Sequence, residues 1–177
     1  MKTCTTMNGD SKMEKPLDKL PRGWPSLILV LVFASLILAG CAGEKRPDPT
    51  YVDLMLTASP AVNPDRNGRA SPVLVRVYEL RSAGTFETAD FFVLLEQDQT
   101  ALGAELVNRW EFQLDPGQTT RLEANFQPSS SALGILAAYR DIEQAQWRAV
   151  SPLEISSENE LTAMIGRLDV NLGPRDD

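Results

Sequence analysis

Hydrophobic and polar residues alternate with a period of two over most of the chain after position 50. In the first such segment Val52, Leu54, Leu56 and Ala58 occupy every second position. This period predicts a β-strand that buries one face. Alternation or apolar, β-branched runs predict further strands over 73–80, 108–114, 120–126, 133–140, 147–153 and 161–172.

Two features of the strand pattern make local predictions. Asp115-Pro116-Gly117-Gln118 is a turn sequence, because Pro presets φ and Gly accepts a positive φ. It separates the alternating segments 108–114 and 120–126, so the pattern predicts a hairpin. In the last segment the apolar positions change parity around Gly166, which predicts a β-bulge within one strand.

One segment has helical rather than strand character. Thr88 is a candidate N-cap, and Phe91, Phe92, Leu94 and Leu95 follow at helical spacing without Pro or Gly. A second short turn over 99–102 ends at Gly103. The whole pattern therefore predicts an all-β, two-sheet β-sandwich with a small helical insertion at 86–103.

The connection between the first two predicted strands, residues 59–72, is unusual. Its fourteen residues include three Pro, two Asn and one Gly, whereas hairpin loops usually have about 2–5 residues. Pro cannot donate a ladder hydrogen bond, so this loop cannot extend the strands. We expect it to protrude and to display Asp65, Arg66 and Arg69. On these grounds alone a plain surface loop is an equally good interpretation.

The N-terminal part has the pattern of a lipoprotein signal peptide. Residues 27–38 are uncharged and apolar, and the preceding residues carry five basic and three acidic side chains. Twelve helical residues rise only about 18 Å, which is short for a permanent membrane span. Leu38-Ala39-Gly40-Cys41 resembles the bacterial lipobox. We therefore expect residues 1–40 to be the signal peptide, Cys41 to receive lipid and 41–50 to be a tether.

The residues of this segment leave the start codon and one alternative for Cys41 open. Translation begins at Met1, Met7 or Met13, and an alternative interpretation makes Cys41 a buried residue at the end of a hydrophobic helix. Ala42, rather than Asp, follows Cys41 and favours the outer membrane over the inner membrane. Since Cys4 departs with the signal peptide and Cys41 is lipidated, no disulfide is expected.

Composition excludes several classes of function. The 177-residue chain has 17 Lys+Arg, 24 Asp+Glu, no His and a formal net charge of −7. Nucleic-acid binding depends on clustered cations, and Ser-His-Asp or Cys-His catalysis requires a histidine. Carboxylates in and around the helical segment are interpreted as a solvated face rather than as a catalytic pair: Asp90, Glu96, Asp98 and Glu105.

The aromatic residues suggest a core rather than a ligand site. Trp110, Phe112, Phe126 and Trp147 have the strand parity of inward-facing side chains, so core packing is favoured over ligand stacking. We expect no catalytic residue, cofactor site or metal site.

A specific resemblance follows from the loop and its surroundings. Asn63-Pro64-Asp65-x-x-Gly68-Arg69-x-Ser71-Pro72-Val73 is followed by Phe86-x-x-Ala89-Asp90-Phe91-Phe92 and Leu102-Gly103, downstream of a lipobox. Together these motifs resemble the type VI secretion lipoprotein family, TssJ (also called VasD or SciN). The resemblance covers essentially all of residues 38–172.

The resemblance implies a fold, a location and a partner. The fold is a transthyretin-like sandwich over 51–173, anchored in the outer membrane and facing the periplasm. The partner is the periplasmic C-terminal part of TssM, an inner-membrane protein of the IcmF family, which with TssL completes an envelope-spanning complex. The loop residues implied to contact TssM are Asn63, Pro64, Asp65, Arg66, Asn67, Gly68 and Arg69.

A second class of function shares the same anchor. A free-standing periplasmic binding lipoprotein, or a pilotin-like lipoprotein, would also carry the signal peptide and Cys41. Such a protein would not need the loop between the first two strands, so deletion of that loop distinguishes the two classes.

Overall fold

The computed structural model describes residues 48–175, so the signal peptide, Cys41 and most of the tether lie outside the described residues. The elements are β1 (Thr50–Ala58), β2 (Val73–Leu80), α1 (Gly84–Thr88), α2 (Phe91–Leu102), a 3-10 turn (Gly103–Glu105), β3 (Leu106–Leu114), β4 (Thr119–Phe126), β5 (Ala132–Ala138), β6 (Arg148–Pro152), β7 (Glu158–Ile165) and β8 (Val170–Pro174). Within this range no helix has the length and apolar character needed to span a bilayer.

The strands form two four-stranded sheets that face each other. The first sheet has the order β4-β1-β7-β8 and the second has the order β3-β2-β5-β6. The inward faces of β1 and β2 supply alternate aliphatic residues, such as Leu54 and Leu56 opposite Val75 and Val77, to one core between the sheets. The predicted fold class, a two-sheet β-sandwich with a small helical insertion, is confirmed.

The helical insertion covers the outer face of the second sheet. Phe86 from α1, together with Phe91 and Leu94 from α2, packs on Tyr78 and Leu136, which point away from the main core. Strands β2 and β5 are therefore buried on both faces. This explains why β5 is a nearly continuous apolar segment instead of an alternating one.

The predicted hairpin between β3 and β4 is wrong, although its turn forms. The Gln118 amide donates to Asp115 O at 2.9 Å, and Gly117 has φ 79°. However, β3 pairs with β2 in the second sheet and β4 pairs with β1 in the first. The turn therefore crosses between the sheets. Alternation specifies which face of a strand is buried but not which strand lies beside it, so it fits both arrangements.

The predicted bulge at Gly166 is also wrong. Residues 161–172 contain parts of two antiparallel strands, β7 and β8, with Ile165 paired to Val170. The Gly166 amide donates to Asp169 O at 2.7 Å and closes a tight turn. The change in apolar parity therefore comes from a reversal of chain direction. The residues of the turn do not alternate between the two faces of a strand, so the alternation starts again in β8.

Two predictions about the helical insertion need correction. The N-cap of α2 is Asp90, whose carboxylate accepts from the Phe92 amide at 2.9 Å, whereas Thr88 ends α1. Asp98 lies on the buried face of α2 rather than on a solvated one, and it forms an ion pair with Arg109 at 2.5 Å. The Tyr78 hydroxyl donates to Asp98 at 3.3 Å, and burial raises the pKa of Tyr78 to about 12.

The four aromatic residues pack against the main core, as the strand parity predicts. Phe126 is buried, while Trp110, Phe112 and Trp147 are partly buried against it. The Trp110 and Phe126 rings stack at 5.3 Å with planes 8° apart. Because these residues come from β3 and β4, the stack closes one open side of the sandwich.

The connections gather at two ends of the sandwich. The loop pole consists of loop 59–72, the turn 115–118, the segment 139–147 and the turn 166–169. The N-terminal pole contains Thr50 together with the connections 127–131 and 153–157. Pairing of Thr50 with Phe126 and of Thr57 with Thr119 places the two poles at opposite ends of β1.

Candidate functional site

Asn63 fastens the base of loop 59–72 to the sandwich. It is only 3% exposed and has φ 47°, in the left-handed region that Asn tolerates better than most residues. Its side-chain amide donates to Pro72 O at 2.7 Å, and its Oδ1 accepts from the Arg140 amide at 2.8 Å. Its own amide donates to Arg167 O at 3.1 Å. One side chain and its backbone therefore join three connections of the loop pole.

Asp65 organises the tip of the loop. Its Oδ1 accepts from the amides of Asn67 at 2.8 Å and Arg69 at 3.0 Å, and the Arg69 guanidinium pairs with its Oδ2 at 2.7 Å. The Arg69 backbone and side-chain hydrogen bonds hold the pKa of Asp65 below its ordinary value. Gly68 has φ 78°, which a residue with a side chain adopts only with strain.

The tip presents a small set of groups to solvent. Arg66, Asn67 and Gly68 are exposed, and Pro64 and Asp65 are half-buried. A shallow cleft of about 650 Å³ lies between the segment 64–67 and residues Arg140 and Asp141. The rigid tip and the cleft beside it form a continuous polar surface.

The structure divides the predicted contact residues into two groups. Asn63 is a buried structural residue. Arg69 is displayed as predicted, with its side chain 76% exposed, and it also pairs with Asp65. Arg66 has no hydrogen-bond or ion-pair partner among residues 48–175 and fits the prediction of display. Sequence reasoning missed Arg140 and Arg167 at this pole, because they are distant in sequence and come together only in the folded structure, where both backbones bond to Asn63.

The chemistry of this pole suits recognition of a macromolecule. Among the described residues, no cluster of three His, Cys, Asp or Glu side chains is placed to hold a metal ion. The loop offers instead amides, guanidinium groups and a carboxylate on a backbone that is fixed at both ends. Recognition by such a preformed loop costs less ordering entropy than recognition by a mobile one.

A two-sheet sandwich with a helical cover and a polar loop at one pole defines the class, a small β-sandwich domain with a helical insertion. Residues 50–168 match the model of the family described as type VI secretion lipoprotein, VasD, EvfM, TssJ, VC_A0113. The chain belongs to this family of type VI secretion lipoproteins. Comparison with curated proteins gives no match.

Two solved structures share both fold and substantial sequence with the chain. The T6SS lipoprotein TssJ1 from Pseudomonas aeruginosa is 36% identical with a TM-score of 0.70, over 73% of this chain and 98% of that one. Serratia marcescens Lip, a membrane bound component of the type VI secretion system, is 27% identical with a TM-score of 0.67, over 73% and 99% of the two chains.

Two more distant matches extend the same fold. A chain of a structure described as a type VI membrane complex is 22% identical, with a TM-score of 0.63 over 72% of this chain and 100% of that one. A chain of a structure described as the T6SS protein TssM C-terminal domain (869-1107) from EAEC is 21% identical. Its TM-score is 0.57, over 71% of this chain and 99% of that one.

Proposed function

We propose that this protein is a non-enzymatic structural lipoprotein of the type VI secretion system that binds the periplasmic domain of TssM through loop 59–72. Lipid on Cys41 anchors it in the outer membrane, and the folded domain faces the periplasm. TssM in turn connects it to TssL in the inner membrane, so that the assembly spans the envelope.

The observation that carries this proposal is the placement of the loop relative to the tether. The tether enters β1 at Thr50, and loop 59–72 leaves β1 after Ala58, at the opposite pole. Nine strand residues at about 3.3 Å each separate the two poles by roughly 30 Å. A domain held at one membrane through its N-terminal pole therefore directs its rigid loop away from that membrane.

The comparisons support the choice of partner. Chains of this fold occur in structures described as a type VI membrane complex and as the TssM C-terminal domain. The conformation of the loop also agrees with a binding role. Asp65, Gly68 and Asn63 fix a tip whose exposed groups lie outside the hydrophobic core, and loops held by a rigid scaffold commonly carry binding residues.

Replacement of the loop tip tests the proposal. The variant changes residues 66–69 to Gly-Ser-Gly-Ser and keeps Asn63 and Asp65, because Asn63 is part of the fold. The control carries Glu154→Ser and Ile155→Ser, two exposed residues at the N-terminal pole. We expect both proteins to reach the outer membrane and to melt within about 5 °C of wild type.

The two proteins should differ in binding and secretion. Calorimetry with the periplasmic domain of TssM should detect binding by the control and none by the tip variant. Only the tip variant should abolish type VI secretion in cells. Unchanged affinity of the tip variant would contradict the proposed contact and would favour either the helical insertion at 86–103 as the interface or the pilotin-like alternative.

A further inference from the structure

The arginines of the domain fall into two groups, those with an acidic partner within the fold and those without one. Residues 48–175 contain ten arginines, eighteen Asp or Glu residues and no lysine. With this excess of carboxylates, half of the ten guanidinium groups find an acidic partner within the fold. Five arginines form ion pairs: Arg69, Arg76, Arg109, Arg121 and Arg175.

The remaining five arginines differ in the partners of their guanidinium groups. Arg81 and Arg148 donate to backbone carbonyl groups of the helical insertion. The guanidinium groups of Arg66 and Arg167 have no hydrogen-bond or ion-pair partner among the described residues. The Arg140 side chain has one partner, the Ser71 hydroxyl, at 3.0 Å. All three of these arginines lie at the loop pole.

The backbones of Arg140 and Arg167 are both held by one buried residue, Asn63. Asn63 accepts from the backbone amide of Arg140 and donates its own amide to the backbone carbonyl of Arg167. Arg66 lies three residues after Asn63 and shares the cleft at the loop tip with Arg140. The backbones of Arg140 and Arg167 are therefore held in place, and none of the three guanidinium groups is paired with a carboxylate of the described residues. Each planar guanidinium can bind a carboxylate of a partner through two parallel N–H groups.

Five acidic residues lie at the same pole: Asp65, Asp115, Asp141, Glu143 and Asp169. Among the described residues none of them forms an ion pair with Arg66, Arg140 or Arg167. Asp65 is committed to Arg69, and one carboxylate oxygen of Asp169 accepts from Asn171 at 2.6 Å. Asp141 lines the cleft beside Arg140, so a partner must avoid a carboxylate at that edge. These charges favour a partner whose acidic groups face Arg66, Arg140 and Arg167 and whose neutral or basic groups face Asp141.

We propose that Arg140 and Arg167 extend the recognition surface beyond loop 59–72, and that with Arg66 they bind an acidic segment of the partner protein. This inference rests on the proposed function, since it takes the loop pole to be the docking surface. It adds two residues outside the loop and defines the chemistry of the segment that docks there.

Charge reversal tests the inference on the full-length lipidated protein in detergent micelles. The double variant Arg140→Glu/Arg167→Glu leaves the backbone hydrogen bonds to Asn63 in place, so the fold should persist. The control is Arg81→Glu, an exposed arginine near the N-terminal pole. Near-ultraviolet circular dichroism and thermal melts establish that each variant is folded before binding is measured.

The binding partner in the assay is the periplasmic domain of TssM from the same organism. We expect the double variant to weaken the affinity by at least about tenfold at low salt, while the control remains within about twofold. Wild-type affinity should fall steeply with added salt, and that dependence should be smaller in the double variant. Arg167→Lys should retain more affinity than Arg167→Gln, because it keeps the charge.

The outcomes separate this inference from the proposed function. If the 66–69 tip variant loses binding while the double variant binds as wild type, the loop contact stands and the acidic-partner inference fails. If the double variant loses binding while the tip variant retains it, the arginine surface stands without the loop tip. Wild-type affinity and salt dependence in both variants would overturn the inference together with the proposed docking site.

Discussion

At the scale of single residues, the loop pole depends on buried polar side chains. Asn63 belongs to the loop motif of the family, yet it is buried and joins loop 59–72 to the backbones of Arg140 and Arg167. Under the proposed function Asn63 acts indirectly, since it fixes the backbone that carries the proposed contacting groups.

Substitution of Asn63 should therefore destabilise the domain. Asn63→Ala leaves the Pro72 carbonyl and the Arg140 amide without their partners, and it places Ala at φ 47°. We expect a loss of about 2–4 kcal/mol in the free energy of unfolding, measured with denaturant. Asn67→Ala, at the exposed tip, is the control and should cost less than about 1 kcal/mol. Equal losses would show that Asn63 does not hold the loop.

A buried ion pair network should give the domain a specific response to acid. Asp53, only 2% exposed, accepts from Arg121 at 2.6 Å and from Arg175 at 2.7 Å. The hydrogen bonds from Arg121 and Arg175 hold the pKa of Asp53 well below its ordinary value. Because the folded-state pKa is the lower one, this carboxylate stabilises the fold above the unfolded-state pKa of about 4.

The contribution of Asp53 should be lost as the pH falls from about 4 toward the lower folded-state pKa. Denaturant melts from pH 7 to pH 2 measure this loss. Asp53→Asn should be less stable than wild type at pH 7, and the difference should shrink as the pH falls. A constant difference across this range would mean that ionisation of Asp53 does not stabilise the fold.

At the scale of secondary-structure elements, the helical insertion and the second sheet depend on close contact. An added Cβ at Gly134 in β5 would lie 2.9 Å from Phe86 Cε1 and 3.1 Å from Leu80 Cδ1. The absence of a side chain at this one position therefore lets α1 approach the sheet. The requirement is steric, since Gly134 does not have a positive φ.

Gly134→Ala should loosen the helical insertion. Because the added methyl group displaces the Phe86 ring, we expect a loss of about 1–3 kcal/mol in unfolding free energy. Faster amide hydrogen exchange in α1 and α2 should accompany it. Gly173→Ala in β8, where an added Cβ meets nothing within 4 Å, is the matched control. Equal changes in stability and hydrogen exchange in the two variants would contradict the view that β5 needs glycine at 134 because of its contact with Phe86.

The stack between β3 and β4 makes a second prediction at this scale. Trp110→Ala removes a ring that covers Phe126 and closes one side of the sandwich. Since Trp110 is only partly buried, we expect a loss of about 2–4 kcal/mol. Gln113→Ala, on the exposed side of the same strand, should remain within about 0.5 kcal/mol of wild type. Denaturant melts that give equal losses would contradict the assignment of the inward face of β3.

At the scale of the whole molecule, the proposed function assigns attachment and recognition to opposite poles. The described chain enters β1 at Thr50 and loop 59–72 follows Ala58, so in this proposal the sandwich is a spacer between a membrane and a partner. Lipidation and binding should then be separable, because no described contact joins loop 59–72 to the N-terminal pole.

Loss of the lipid acceptor tests this separation. Cys41 lies outside the described residues, and its lipidation stays a prediction. Cys41→Ser should prevent acyl labelling and leave an uncleaved or mislocalised precursor, because a hydroxyl is a much weaker nucleophile than a thiolate. A domain that starts at residue 46 should still bind the periplasmic domain of TssM in solution. Wild-type acyl labelling of the serine variant would contradict the assignment of Cys41.

Local patterns in the sequence determined much of the architecture. Alternation located the strands and their buried faces, turn residues located the reversal at 115–118, and helical spacing located the insertion. The lipobox and the loop motif indicated the family that the comparison of residues 50–168 confirms. These features are encoded by residues close together in the chain, so periodicity and motif spacing are sufficient to predict them.

Only the tertiary structure decided which strands pair and which polar residues are buried. The turn at 115–118 crosses between sheets, and Gly166 lies in a chain reversal, although the alternation fits a hairpin and a bulge equally well. Asn63 is buried because two segments far along the chain complete its hydrogen bonds. Such contacts depend on how residues distant in the chain are arranged in space. A period of two describes one strand by itself and carries no information about that arrangement.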